Sequence, residues 1–139
     1  MDARDRVNLR LKKLLEYVDF LRQYQGIAVA EIKADAQKRG AIERYLQLAA
    51  EVVVGVANIL NAEYKFSPAK DGRESIEILG KEGVLDREFA NEFAGIYGFR
   101  NILVHDYLKI DYKKLVDNLN NKLGDFEEFA KQVARYLQS

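Results

Sequence analysis

Apolar residues recur along almost the whole chain at steps of three and four, the spacing of one helix face. Val7, Leu11, Leu14, Val18 and Leu21 carry the first stripe. They predict a helix from about Asp2 to Tyr24, ended by Gly26. A second stripe, Ile42, Tyr45, Leu46, Ala49, Val53, Val56 and Leu60, predicts a long helix from about Val29 to Glu63, with Gly40 as the point where it can kink. The β-branched run Val52-Val53-Val54 would suit a strand, but its flanks keep helical spacing, so it is read as buried helix. Phe66 to Gly72 is a loop by its Pro and Gly. Asp71 with Glu74 three residues on reads as a capping box for a short helix, about Gly72 to Glu82, closed by Gly83. Asp86 caps a fourth helix, with Phe89, Phe93, Ile96 and Leu103 as its stripe, running to about His105. Asp111 caps a fifth, carried by Leu115, Leu119, Phe126, Val133 and Leu137 to the C-terminus. The expected architecture is all-α: an antiparallel up-and-down bundle of about five helices in a single domain spanning residues 1–139.

Composition narrows the chemistry. A hydrophobic fraction of 48% suffices for a globular core. There is no Cys, which excludes a disulfide framework and thiolate metal sites and fits a reducing, cytoplasmic setting. The N-terminus does not read as a signal peptide, and the apolar stretch Val52 to Ala62 is far shorter than the roughly 20 residues of a membrane span. Lys plus Arg (22) equal Asp plus Glu (22). A general polyanion binder carries a basic excess, so any nucleic-acid contact must be local or built by more than one chain.

The chain has one His, His105, the residue type best suited to moving protons near neutral pH. It sits in Arg100-Asn101-Ile102-Leu103-Val104-His105-Asp106-Tyr107. On a helix, five residues turn by about 500°, which leaves Arg100 and His105 about 140° apart, able to border one cleft. Asn101 and His105, four apart, share a face. Arg100 and Tyr107 would align if the helix ran on that far. Arginine offers a planar fork of donors to phosphate oxygens. Neutral His takes a proton from a hydroxyl and His⁺ returns one to a leaving oxygen. RNA carries its own nucleophile, the 2′-hydroxyl, so neither metal nor cofactor is expected. The spacing alone fits better a surface ion pair for Arg100 and a helix C-terminal cation for His105.

The wording of the segment adds more. Gly98-Phe99-Arg100-Asn101-Ile102-Leu103-Val104-His105-Asp106-Tyr107 resembles the motif of HEPN domains, in particular the HepT branch: Arg, four residues, His, one residue, Tyr, with Asn after the Arg. Ala41 to Glu51, then Val56-Ala57-Asn58-Ile59-Leu60, and Glu82-Gly83-Val84-Leu85 before the motif, are similar to the flanking blocks of that family, in its order. The resemblance covers about Asp5 to Leu137. It implies helical bundles that form homodimers, with two motif segments sharing a cleft at the dimer axis. It implies a metal-independent endoribonuclease acting as a toxin. The implied partner is a minimal nucleotidyltransferase antitoxin that neutralises it by adding AMP to the motif tyrosine. Carried over by position, Arg100 binds and stabilises the scissile phosphate, His105 acts as general base or acid, Asn101 orients them, and Tyr107 accepts AMP. The alternative is a non-catalytic module that pairs with a nucleotidyltransferase and presents Tyr107 or a nucleotide to it.

Glu51 and Asn58, seven apart on the second helix, are secondary candidates for the cleft, or else solvent-facing. Tyr45 falls on the apolar stripe and is read as a core or dimer residue. Tyr97 precedes Arg100 by three residues and is read chiefly as packing. The run Lys109 to Lys114 is read as a solvated helix start whose lysines can touch RNA backbone.

Overall fold

The structure, a computed structural model, describes the backbone of all 139 residues and every side chain except that of Tyr107. Asp2 opens it: its carboxylate accepts the Asp5 amide at 2.8 Å, and α1 runs Ala3–Arg22. The predicted stripe Val7, Leu11, Leu14, Val18 and Leu21 is its buried face. Gly26, at φ 89°, turns the chain toward α2 (Val29–Ala34). Its amide donates to Asn120 Oδ1 at 2.8 Å, which ties this corner to the later helices.

Between Val29 and Glu63 the expected single helix is two. The break lies at Asp35, not at Gly40. Asp35 is extended (φ −120°, ψ 98°), and its carboxylate accepts the Gln37 and Lys38 amides, so it caps a new helix, α3 (Ala36–Glu63). A short acidic side chain competes directly for backbone amides, whereas Gly40 only weakens a helix and stays inside α3. Nine α3 residues are buried, Val53 and Val54 among them. This helix packs against α1 and α2 and against the later helices α4, α6 and α8. By length and composition it is the one helix among the described residues apolar enough to cross a membrane; here it forms the centre of the bundle. Lys65, left-handed at φ 54°, ends it, with the Phe66 amide reaching back to the Asn61 carbonyl.

Asp71 caps α4 (Gly72–Lys81), accepting the Glu74 amide at 2.9 Å. Gly83, at φ 80°, closes it as expected. Asp86 caps α5 (Arg87–Phe93), and its own amide donates to Gln132 Oε1 at 2.7 Å, fixing α5 on the last helix. The helix expected from Asp86 to His105 is also two, α5 and α6 (Ile96–His105). At the junction the backbone stays right-handed, but the Gly95 and Tyr97 amides reach only three residues back, to Glu92 and Ala94. One tightened turn redirects the axis while barely shifting the apolar period. A 3-10 turn (Tyr107–Lys109) follows, and Asp111 caps α7 (Tyr112–Asn121) as predicted. Lys122 (φ −122°, ψ 4°) separates α7 from α8 (Leu123–Gln138), so the fifth helix is also a pair.

Eight α-helices and one 3-10 turn among the described residues thus replace the expected five; the all-α class stands. Each helix contributes to one hydrophobic cluster centred on α3. At the end near α6, Phe93 of α5 packs against Phe126 and Phe129 of α8, with ring centroids 5.6 Å apart in both pairs. Phe93 thereby pins the segment that leads into α6.

Candidate functional site

α6 has few fully buried residues. Only Ile96 and Leu103, each 8% exposed, are buried. They are seven residues apart, two turns, and lie on one face. Everything else on α6 is half-buried or exposed, Arg100, Asn101 and His105 included. Tyr97 and Phe99 pack partly buried against the core, while Arg100, Asn101 and His105 fall within about 140° of the helix circumference.

Arg100 is half-buried. Its Nη1 donates to Asn101 Oδ1 at 2.8 Å, and its guanidinium carbon lies 5.5 Å from the centroid of the Tyr97 ring. Its Nε is buried and has no hydrogen-bond partner among the described residues. It takes part in none of the ion pairs among them, so the surface ion pair that the spacing allowed is not formed. Asn101 has a geometric part to play. Arg100 and His105 point in directions about 140° apart around the helix, while Asn101 and His105 share a face. The Arg100–Asn101 hydrogen bond ties the guanidinium to a residue on the side that bears His105.

His105 is exposed and is the last residue of α6. The Asp106 amide closes the helix on the Ile102 carbonyl, and Asp106 itself leaves helical geometry (φ −125°, ψ 39°). The helix thus stops before Tyr107. The Tyr107 side chain lies outside the described residues.

Glu51 and Asn58 both lie on α3, but the structure does not join them to the motif. Glu51 accepts from Gln47 Nε2 at 3.0 Å. Asn58 is exposed beside a hollow lined by Asn61, Lys65, Ser67 and Ser75. Tyr45 is half-buried between Phe20, stacked at 3.8 Å, and Tyr17, edge-on at 5.6 Å, which bears out a packing role. Lys109, Lys113 and Lys114 are exposed, as a solvated helix start requires.

Two hollows flank the motif. One, of about 630 Å³, lies between α6 and the α7–α8 pair, against Gly98, Phe99, Ile102, Lys114, Asp117 and Phe126. Asn121 donates to Asp117 at 2.8 Å and holds that carboxyl below its ordinary range. The other, of about 440 Å³, is formed where Leu108, Ile110 and Tyr112 meet Arg39, Gly40 and Glu43 of α3. Burial there raises the Glu43 carboxyl above its ordinary range, against the opposing pull of Arg39. Among the described residues no three His, Asp or Glu side chains converge as they would to hold a metal ion.

Sequence reasoning missed the seat of Tyr97. Its ring lies against the α-carbon of Gly72, at the start of α4, so closely that a Cβ at Gly72 would fall 2.4 Å from Cδ1. The contact joins residues far apart in the chain. Its only local sign is a glycine at the first position of a helix, where glycine has no other advantage.

Comparison with known proteins identifies the family and the fold. Residues 14–133 match the family model described as Ribonuclease HepT-like. The chain is 25% identical over 131 residues to the tRNA nuclease HepT of Aphanizomenon flos-aquae, covering 94% of this chain and 89% of that protein. It is 25% identical over 100 residues to the mRNA nuclease HepT of Shewanella oneidensis, covering 72% and 75%. Its fold matches the tri-AMPylated HEPN toxin of Shewanella oneidensis, solved in complex with its MNT antitoxin, at a TM-score of 0.85 and 21% identity, over 97% of this chain and 99% of that one. A family match across both the motif helix and the helices that carry it leaves one conclusion: the chain belongs to the HepT-like ribonuclease family of HEPN domains.

Proposed function

We propose that this protein is a metal-independent endoribonuclease toxin, and that Arg100, Asn101 and His105 carry its chemistry. The observation that supports this best is the Arg100–Asn101 hydrogen bond within α6, which ties the guanidinium to a side chain on the histidine face. In the reaction the RNA 2′-hydroxyl attacks the adjacent phosphorus. His105 takes the hydroxyl proton, and a proton is returned to the departing 5′-oxygen, leaving a 2′,3′-cyclic phosphate and a 5′-hydroxyl. Arg100 stabilises the charge that builds on the phosphoryl oxygens. One His per chain supplies one proton-transfer group; a homodimer with the two motif segments facing each other supplies two. Such a cleft also concentrates the positive charge of two Arg100 side chains, although each chain is neutral overall.

Tyr107 is the proposed acceptor of AMP from a minimal nucleotidyltransferase antitoxin. The AMPylated state and the MNT partner of the Shewanella oneidensis toxin support this reading. AMP there would place negative charge in the proposed cleft and block RNA by repulsion and by bulk. With RNA as substrate, the protein acts in the cytoplasm.

The test is cleavage of RNA by the pure protein in EDTA. His105→Ala and Arg100→Ala, each shown by circular dichroism to be folded, are expected to lose at least about 100-fold in rate. RNA left intact by the wild-type protein in the absence of its partner would refute the proposal.

A further inference from the structure

Resting on the reading of Arg100 as the phosphate-binding group, we infer that Tyr97, seated on Gly72, is the positioning residue that sets the Arg100 guanidinium. Three helices meet at this seat. A Cβ at Gly72 would lie 2.4 and 2.6 Å from Cδ1 and Cε1 of Tyr97 and 2.9 Å from Cγ1 of Val54. Such distances leave room for a hydrogen atom and nothing larger. The ring is therefore held against α4, at a point that α3 also closes through Val54, as well as by its own helix. It acts as a rigid surface on which α6 is registered.

Arg100 follows Tyr97 by three residues, less than one turn, on the same side of α6. Its guanidinium carbon, 5.5 Å from the ring centroid, is within the range in which a cation is attracted to an aromatic face. Arginine is long and loses much rotamer freedom when held still. Its hydrogen bond to Asn101 restrains one nitrogen only. The ring supplies the second restraint and spares the outward donors, because an aromatic face takes up none of the guanidinium N–H groups through an acceptor atom. A phosphate thus meets an arginine already placed, and the placement depends on a residue that need not touch RNA.

The ring, not the hydroxyl, does this, so the conservative replacement should rescue. On an RNA oligonucleotide with one cleavage site, Tyr97→Phe is expected to stay within about threefold of wild type in kcat, while Tyr97→Leu loses about 10- to 100-fold, the usual penalty for a misplaced catalytic group. In an Arg100→Ala background, Tyr97→Leu should cost nothing further, because it acts only through the arginine. A readout independent of activity is hydrogen exchange at Arg100 Nε by NMR. Exchange should be slow in wild type and in Tyr97→Phe, and fast in Tyr97→Leu. If Arg100→Ala abolishes cleavage but Tyr97→Leu is as active as wild type, or adds its loss to that of Arg100→Ala, the positioning role is overturned and the ribonuclease reading stands. Unchanged Arg100 Nε exchange in Tyr97→Leu overturns it equally. If wild type cleaves nothing, or Arg100→Ala is fully active, the reading of the site falls and the positioning role with it.

Discussion

The same substitution, glycine to alanine, should have opposite effects at two helical positions of this chain. Gly80 is buried in the last turn of α4. A Cβ added there would sit 2.5 Å from Ala90 Cβ and 3.2 Å from Arg87 Cα. Neither is the end of a flexible side chain, so no rotamer change can make room. α4 and α5 must instead separate by about 1 Å to restore ordinary carbon contacts. Overpacking of this kind costs about 1–3 kcal/mol, here toward the upper end because both neighbours are rigid, and the helix preference of Ala over Gly returns about 0.5–1 kcal/mol, for a net loss of up to about 2.5 kcal/mol. Gly40 is exposed inside α3, and a Cβ there would meet nothing within 4 Å. Only the helix preference remains, a gain of about 0.5–1 kcal/mol. Urea unfolding followed by circular dichroism, at one fixed protein concentration, measures both. The midpoints should move in opposite directions with unchanged slopes. Adding Ala90→Gly to Gly80→Ala should recover part of the loss, since the contact at Arg87 Cα remains. A Gly80→Ala variant as stable as wild type, or a Gly40→Ala variant less stable, would refute the reasoning.

Two further outcomes follow from local chemistry. The folded-state carboxyl of Glu43 titrates above its unfolded value because burial disfavours its charge, so its ionisation costs stability at neutral pH and the cost vanishes on acidification. Glu43→Gln should therefore raise the melting temperature at pH 7, with the difference from wild type closing below about pH 4; a less stable Gln variant at pH 7 would mean that attraction to Arg39 outweighs burial. Asp71→Ala removes the cap that accepts the Glu74 amide at the start of α4, and should cost about 1 kcal/mol in unfolding free energy, against no change if that turn is held by packing alone.

The helical stripes were legible because burial follows the period directly. Every residue of the α1 stripe is buried, and so are six of the seven residues named on α3, with Tyr45 half-buried. The caps at Asp71, Asp86 and Asp111 were legible because a short acidic side chain beside a helical pattern has one good use. The breaks were not. Asp35 lies within a polar run where a cap and a solvated acid look alike. At Gly95 the chain loses only part of a turn, and at Lys122 a polar surface residue changes conformation with no apolar position to mark it. For the site, the family resemblance located the motif, and periodicity placed Asn101 with His105. It also put the end of that helix at about His105, where α6 stops, but could not foresee the hydrogen bond between Arg100 and Asn101. Nor could it find Tyr97 against Gly72, a contact between helices with no trace in either segment taken alone.

The shallow burial of α6 separates two things that most enzymes keep together. Where α3 commits nine residues to the core, α6 commits Ile96 and Leu103. Of the residues between them, Tyr97 and Phe99 pack against the core, but Arg100 and Asn101 can change with little effect on whether the chain folds. Over generations, substitutions at Arg100, Asn101 and His105 are screened by what the site does and hardly at all by folding. A lineage released from selection for the chemistry would lose the motif first and keep a well-folded bundle long afterwards.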